Sequence, residues 1–315
     1  MAIGQHAHVG IAPVQAQRAQ LPDGRWHFQH GPMDIIMGAA GDTLLVDEAH
    51  DRAWQRFAGI LQELVQELPL LRAPVTGECP VHGPVAQRMW RACKPYQAKV
   101  ITPMAAVAGS VAQELLQFYQ VYGVRRAWIN NGGDMAIHLT ANESVRVGLY
   151  THLEKLNVRQ LQNGIELNGR FEISSNSAVR GVATSGWRGR SFSLGIADSV
   201  TVLARTAAQA DAAATVIANA VNVDDGCIIR RCANNIKDDS DLGHRLVTVD
   251  VPPLAPGLVQ QALAAGLACA LSLRAQGLIC TAVLVCQNQS ITTDSTIKHM
   301  QNKVLTLTER GTENA

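Results

Sequence analysis

Apolar residues at Ala53, Phe57, Ile60, Leu61, Leu64 and Leu68 recur in steps of three and four, which predicts an amphipathic helix over about 49–71. A second helix is expected from Thr102-Pro103, a threonine N-cap followed by a proline suited to the first turn. It carries Ala105, Ala108, Val111, Ala112, Leu115, Leu116 and Tyr119 and stops near Gly123. Thr206 and Gln209 form a capping box at the head of a third helix, which ends near Val221, and a fourth covers about 258–275. Elsewhere the apolar residues come in short runs bounded by Gly, Pro, Asn and Asp, the mark of strands and turns. Such runs lie at 26–30, 35–37, 43–46, 127–130, 135–139, 145–149, 164–167, 171–174, 179–184, 200–204, 245–251 and 281–286. Strands thus arrive in twos and threes between single long helices, which predicts an α+β fold with mainly antiparallel sheets.

Residues 1–24 lack periodicity and read as a loose leader; 25–290 form one unit with room for two lobes; 291–315 read as a polar tail. Residues 72–101 hold Pro74, Pro80, Pro84 and Pro95 with Gly77 and Gly83, so a long irregular loop is expected, with one helical piece around 85–92.

Composition narrows the function classes. With 27 Lys+Arg against 26 Asp+Glu in 315 residues, the formal charge of +1 provides no broad basic field, which argues against nucleic acid as a partner. Charged residues make up 17% against roughly 25% in an average soluble chain, so packing rests on small residues. That balance points to a buried surface between copies, a homo-oligomer, without locating it. The seven cysteines are scattered and odd in number, as expected of thiols in a reducing compartment. No basic stretch followed by an apolar one opens the chain, and apolar runs such as 278–286 fall short of the roughly 20 residues of a membrane span. A cytoplasmic protein without a membrane partner is the expectation.

Several segments could carry chemistry. In the third helix Asp211, Thr215 and Asn219 stack at four-residue intervals on an otherwise alanine-rich and aliphatic rod. Such an oxygen stripe suits a hard cation such as Mg²⁺, which often shares its ligands with a phosphate. The alternative is a carboxylate favouring its own helix dipole beside a solvated face. Asn130-Asn131-Gly132-Gly133-Asp134 is either a tight turn or a glycine loop whose amides approach a phosphate. Thr184, Ser185 and Gly186 end a strand with two hydroxyls and a glycine, and Arg188 and Arg190 follow. Zinc is not favoured, because Cys79/His82 and Cys227/Cys232 form no four-ligand set. Asp238, Asp239 and Asp241 read as an acidic surface turn. His30, beside Gly31-Pro32, is either a candidate base or a structural histidine.

Taken in order, AAVAGSVAQELLQFYQVYGVRRAWINNGGDMA (105–136), VATSG (182–186) and SVTVLARTAAQADAAATVIANAV (199–221) resemble segments of the ApbE-type flavin transferases. The chain is more similar still to an uncharacterised ApbE-like family, through HGP at 30–32, TPMAAVAG at 102–109, NNGGD at 130–134, the run from Gly181 to Val202 and the stretch 239–249. This closer match covers about 30–290. The resemblance implies an ApbE-like fold that binds FAD with Mg²⁺, splits the diphosphate and attaches FMN to a partner flavoprotein. On that basis Asp211 and Thr215 would hold the metal, with a backbone carbonyl near 106–108 as a third ligand. Asn131, Gly132, Gly133 and Asp134 would line the flavin site, and Thr184, Ser185 and Gly186 the nucleotide.

The chain also departs from the transferases. Gly109 stands where they carry a lysine, and their histidine-rich segment before the SVTV strand is reduced to residues 192–198. Asp198 and His30 are then the candidate proton carriers. Three functions remain open. One is a flavin-nucleotide or related phosphorylated-ligand protein that cleaves a diphosphate or transfers FMN. Another is an enzyme acting on a different small metabolite in a reshaped pocket. The third is a non-enzymatic maturation or interaction factor for a redox enzyme.

Overall fold

Nine strands pair into one sheet in the order β1-β2-β3-β4-β5-β8-β9-β12-β13, and every pairing in it is antiparallel. In this computed structural model, which describes residues 15–99, 101–149, 169–294 and 304–307, the strands are β1 (Gln17–Gln20), β2 (Trp26–His30), β3 (Met33–Gly41), β4 (Val124–Asn131), β5 (Asp134–Leu139), β8 (Gly181–Ser185), β9 (Ser199–Ala204), β12 (Thr281–Cys286) and β13 (Gln289–Thr292). A smaller sheet joins β6 (Ser144–Leu149), β7 (Gly169–Ser174) and β14 (Val304–Leu307), and β10 (Ile229–Cys232) pairs with β11 (Leu246–Asp250). The α+β expectation with mainly antiparallel sheets holds; the β14–β7 pair is parallel.

The helices are α1 (Thr43–Gln66), α2 (Leu68–Leu71), α3 (Pro84–Cys93), α4 (Val107–Leu116), α5 (Ala207–Ala220) and α6 (Pro256–Ala275). α5 explains why an alanine-rich rod sits at the centre. Nine of its residues are buried, and α4, α3, α6, β8 and β9 all pack against it. Small side chains let these elements approach closely: a Cβ on Gly109 of α4 would collide with the Ala207 carbonyl, and one on Gly195 with the Ala218 carbonyl. The larger core lies between the sheet and these helices. A second, smaller core, with Ile137, Leu139, Val147, Ile173, Val182 and Val283, includes residues of both sheets.

The structure corrects several expectations. Residues 43–46 begin α1 instead of a strand, because the Asp42 carboxylate accepts the Leu44 and Leu45 amides and caps the helix. The expected leader contains β1, whose Gln17–Gln20 are all exposed and pair with β2 through the backbone, leaving no apolar signal. The expected tail contributes β14 and the end of β13. The strand expected at 164–167 and residues 1–14 lie outside the described residues. α6 reaches the length and mean hydropathy (1.4) of a membrane span, although no apolar run announced one, and its buried face packs on α5, β12 and β13.

Candidate functional site

Antiparallel pairing brings alternate strand ends to one edge of the sheet, and the sequence-predicted residues collect there. The β2–β3 turn follows His30, the β4–β5 turn spans Asn131 to Asp134, β8 ends at Ser185, and β9 starts at Ser199 just after Asp198. Register fixes their adjacency: Ile35 faces Asn131, Met135 faces Val182, and Ser185 faces Val200.

Gly132 and Gly133 both adopt positive φ (66° and 115°), the conformation a two-residue hairpin turn requires. The Asn130 side chain accepts the Gly133 amide at 2.8 Å and locks the turn. Asn131 is buried and donates to the Ala108 carbonyl at 3.2 Å, tying the turn to the first turn of α4. Asp134 is also buried; its carboxylate accepts the Thr184 amide at 3.1 Å across the β5–β8 pair. Thr184 Oγ1 lies 2.9 Å from Thr201 Oγ1. Gly186 packs where a Cβ would strike the Asp198 carbonyl.

Asp211 reaches the same place from above. Its Oδ2 accepts the Gly109 amide at 2.9 Å, and the Ala108 amide lies close enough to favour the charged carboxylate. α4 has no side-chain N-cap of its own, so Asp211 completes the start of a neighbouring helix. This replaces the reading in which it favours the dipole of its own helix. Burial and the charge of Asp134 push the Asp211 carboxyl well above the usual carboxylate range, against the pull of those two amides. Burial likewise pushes Asp134 up to about 7. The two carboxylates therefore lie within each other's electrostatic reach, and among the described residues neither forms an ion pair. Thr215 follows one turn along α5, half-buried.

The remaining predicted residues do other work. Asn219, third in the α5 stripe, accepts the Leu194 amide at 2.9 Å and the Ser193 hydroxyl at 3.2 Å, pinning the shortened 192–198 segment onto α5. Asp198 accepts the Gln287 amide at 2.6 Å and the Trp187 indole N–H at 3.3 Å, so both of its oxygens are engaged. His30 is buried with its ring edge-on to Phe57, on the helix side of the sheet. Arg190 reaches back beside Gly132 and lies 3.5 Å from the Asp34 carboxylate.

Two neighbours of the site were not legible in the sequence. The buried Cys93 thiol sits in the field of Asp211, and burial followed by that charge raises it well above the usual thiol range. Thr102 donates to the Asp241 carboxylate, so the acidic 238–243 turn is fastened beside the entry to α4. Among the described residues no group of three or more His, Cys, Asp and Glu side chains is arranged to hold a metal.

These features define an α+β protein in which a glycine turn, the start of α4 and two carboxylates without a cationic partner among the described residues lie at one end of the sheet. The chain belongs to the family described as AbpE bacteria, whose model matches residues 18–294, in agreement with the ApbE-like motifs. It is 31% identical over 205 residues to a UPF0280 protein of Methanothrix thermoacetophila, covering 62% of this chain and 79% of that one. It is 40% identical over 143 residues to a UPF0280 protein of Methanothermobacter thermautotrophicus, covering 44% and 50%. Among solved structures it resembles the flavinyl transferase ApbE of Pseudomonas stutzeri in its apo form, with a TM-score of 0.36 and 10% identity over 89% of this chain and 93% of that one. The flavin transferase ApbE of Vibrio cholerae superposes with a TM-score of 0.35 and 12% identity over 89% and 97%. Both superpositions are loose.

Proposed function

We propose that this edge of the sheet binds a flavin nucleotide or a related phosphorylated ligand together with Mg²⁺, and that the bound pair undergoes diphosphate cleavage or FMN transfer. The observation that carries the reading is the neighbouring pair Asp134 and Asp211 at the start of α4. Two carboxylates raised by burial, one by the other's charge, and lacking a cationic side chain suit a divalent cation. The ion would draw on Asp211 and Thr215, with the Asp134 charge nearby, and complete its shell from carbonyl, water and ligand oxygens, as Mg²⁺ commonly does. When bound, it would neutralise phosphate charge. Around it the chain's own groups have distinct tasks. The Gly132-Gly133 turn admits close backbone approach, Thr184 and Ser185 offer hydroxyls, and Arg190 adds a charge to the rim. Asp198 and His30 remain the candidate proton carriers, and a flavoprotein remains the candidate acceptor.

One observation favours a second reading, an enzyme acting on a different small metabolite. The place of the transferases' lysine is Gly109, where any side chain would strike the Ala207 carbonyl, so that charge cannot be restored without moving α4 from α5. The test is calorimetric titration of FAD with and without Mg²⁺, repeated with Asp211→Asn. Binding tighter than about 1 mM that requires Mg²⁺ and disappears in the variant is expected, followed by an assay for FMN release. No FAD binding up to about 1 mM would discard the flavin reading and leave the second one.

A further inference from the structure

Further along β3 and β4, away from the Asn131–Asp134 turn, the sheet has a gap. β2 stops with Trp26 opposite Met37, while β3 runs on to Gly41, so its edge from Gly38 onward carries no β2 partner. A cavity of about 380 Å³ fills this gap, within the roughly 300–1,000 Å³ range of small-molecule sites. Its walls include Trp26, Gly38, His50, Arg126 and Trp128. Gly38 leaves room for the indole: a Cβ there would press within 3.0 Å of the Trp128 ring.

His50 is the informative wall residue. It is only 6% exposed, and its Nδ1 lies 2.7 Å from the Tyr119 hydroxyl, which in turn donates to Met37 Sδ at 3.1 Å. Nδ1 is thus taken up by Tyr119, and Nε2 is the ring nitrogen left to face the cavity. Burial lowers the His50 pKa and so favours the neutral ring, outweighing the charges of Asp47 and Asp51. Among the described residues Nε2 has no hydrogen-bonding partner, and it is not sealed from solvent. A nearly buried ring nitrogen without a protein partner among the described residues, open to a cavity, favours an occupant with a hydrogen-bonding group. At the rim Arg126 is loosely held, 3.5 Å from the Ser144 carbonyl and 3.9 Å from Glu143, whereas Arg25 is taken up by Asp23 at 2.6 Å.

We propose that this cavity is a second ligand site, for a small planar aromatic acid whose hydroxyl hydrogen-bonds His50 Nε2, whose ring lies against Trp26 and Trp128, and whose carboxylate meets Arg126. It is independent of the Asp134/Asp211 edge. The test titrates 4-hydroxybenzoate into the full chain, followed by calorimetry and tryptophan fluorescence, with benzoate lacking the hydroxyl and phenol lacking the anion. The expected result is a Kd below about 1 mM, weakened at least about tenfold for benzoate, for phenol, and in His50→Phe and Arg126→Ala. Arg126 is exposed, so Arg126→Ala remains decisive if His50→Phe does not fold. Asp211→Asn should leave the binding unchanged. A Kd above about 1 mM, equal binding of benzoate, unchanged binding in Arg126→Ala, or loss in Asp211→Asn would each overturn the proposal.

Discussion

Two buried carboxylate sites in this protein are resolved in opposite ways. Glu114 on α4 is 3% exposed and accepts Arg56 Nε at 2.7 Å and Arg88 Nη1 at 2.9 Å; Arg56 also pairs with Glu63. Burial alone would raise its pKa, but the two arginines outweigh it and the carboxyl is lowered. Asp134, 8% exposed, has a single backbone amide and is pushed up to about 7. The same fold that neutralises one buried anion leaves the other beside Asp211. The first arrangement stabilises the fold, joining α1, α3 and α4. The second costs stability, the cost that the proposed cation would offset on binding.

The comparison breaks most visibly at Glu114. Glu114→Ala strands two guanidinium groups that are only 20% and 24% exposed. A loss of roughly 3 kcal/mol in unfolding free energy is expected, the lower end for a broken buried pair because the arginines regain some solvent. Urea denaturation measures it; a loss under about 1 kcal/mol would mean the network is ornamental.

Next in size is the pH response, where the two sites have opposite signs. Glu114 contributes stability that is present above its ordinary value of 4.5 and lost as pH falls through its lowered one. Asp134 contributes stability that is present below 3.8 and lost as pH rises through about 7. In metal-free buffer, Asp134→Asn should therefore gain stability relative to the native chain as pH goes from about 4 to 7, and Mg²⁺ should shrink that gain. A gap that does not change with pH would remove the unneutralised carboxylate from the account.

Gly109→Ala gives a smaller effect, about 1–3 kcal/mol of destabilisation, because the added methyl must part α4 from α5 at the Ala207 carbonyl. A neutral outcome in thermal melts would show that the α4–α5 approach has slack, and would reopen the position to a lysine.

The long helices were legible because their periodicity is strong: Phe57, Ile60 and Leu64 are all buried in α1, and Thr206 caps α5 by accepting the Gln209 amide. The strands around the site were legible too, and with them the order of the turns. Exposed β1 was not, because QRAQ carries no burial pattern. At the site, Asp211 and Asp134 could each be singled out from local spacing, but their mutual approach depends on α5 lying over β8 and α4 starting beside the β4–β5 turn. That is tertiary information. The role of Asn219 was hidden for a related reason: its four-residue spacing marks a face, while the partner it holds, Leu194, comes from a segment with no periodicity.

The finest division lies within the α5 stripe itself, between Thr215 and Asn219. The Asn219 Oδ1 is engaged twice as a structural brace, so Asn219→Ala should lower stability by about 1–2 kcal/mol, through the orphaned Leu194 amide, and affect ligand binding only in proportion. Thr215 is half-buried between the carboxylate turn and that brace. Thr215→Val keeps the branched shape and exchanges the hydroxyl, which has no hydrogen bond to lose among the described residues, for a methyl, so the melting temperature should move little while Mg²⁺-dependent FAD binding weakens several-fold. Calorimetry and melting of the two variants side by side separate the roles. If Thr215→Val behaves like Asn219→Ala, losing stability and binding together, the stripe is structural along its length and the metal, if bound, relies on Asp211 and backbone oxygens alone.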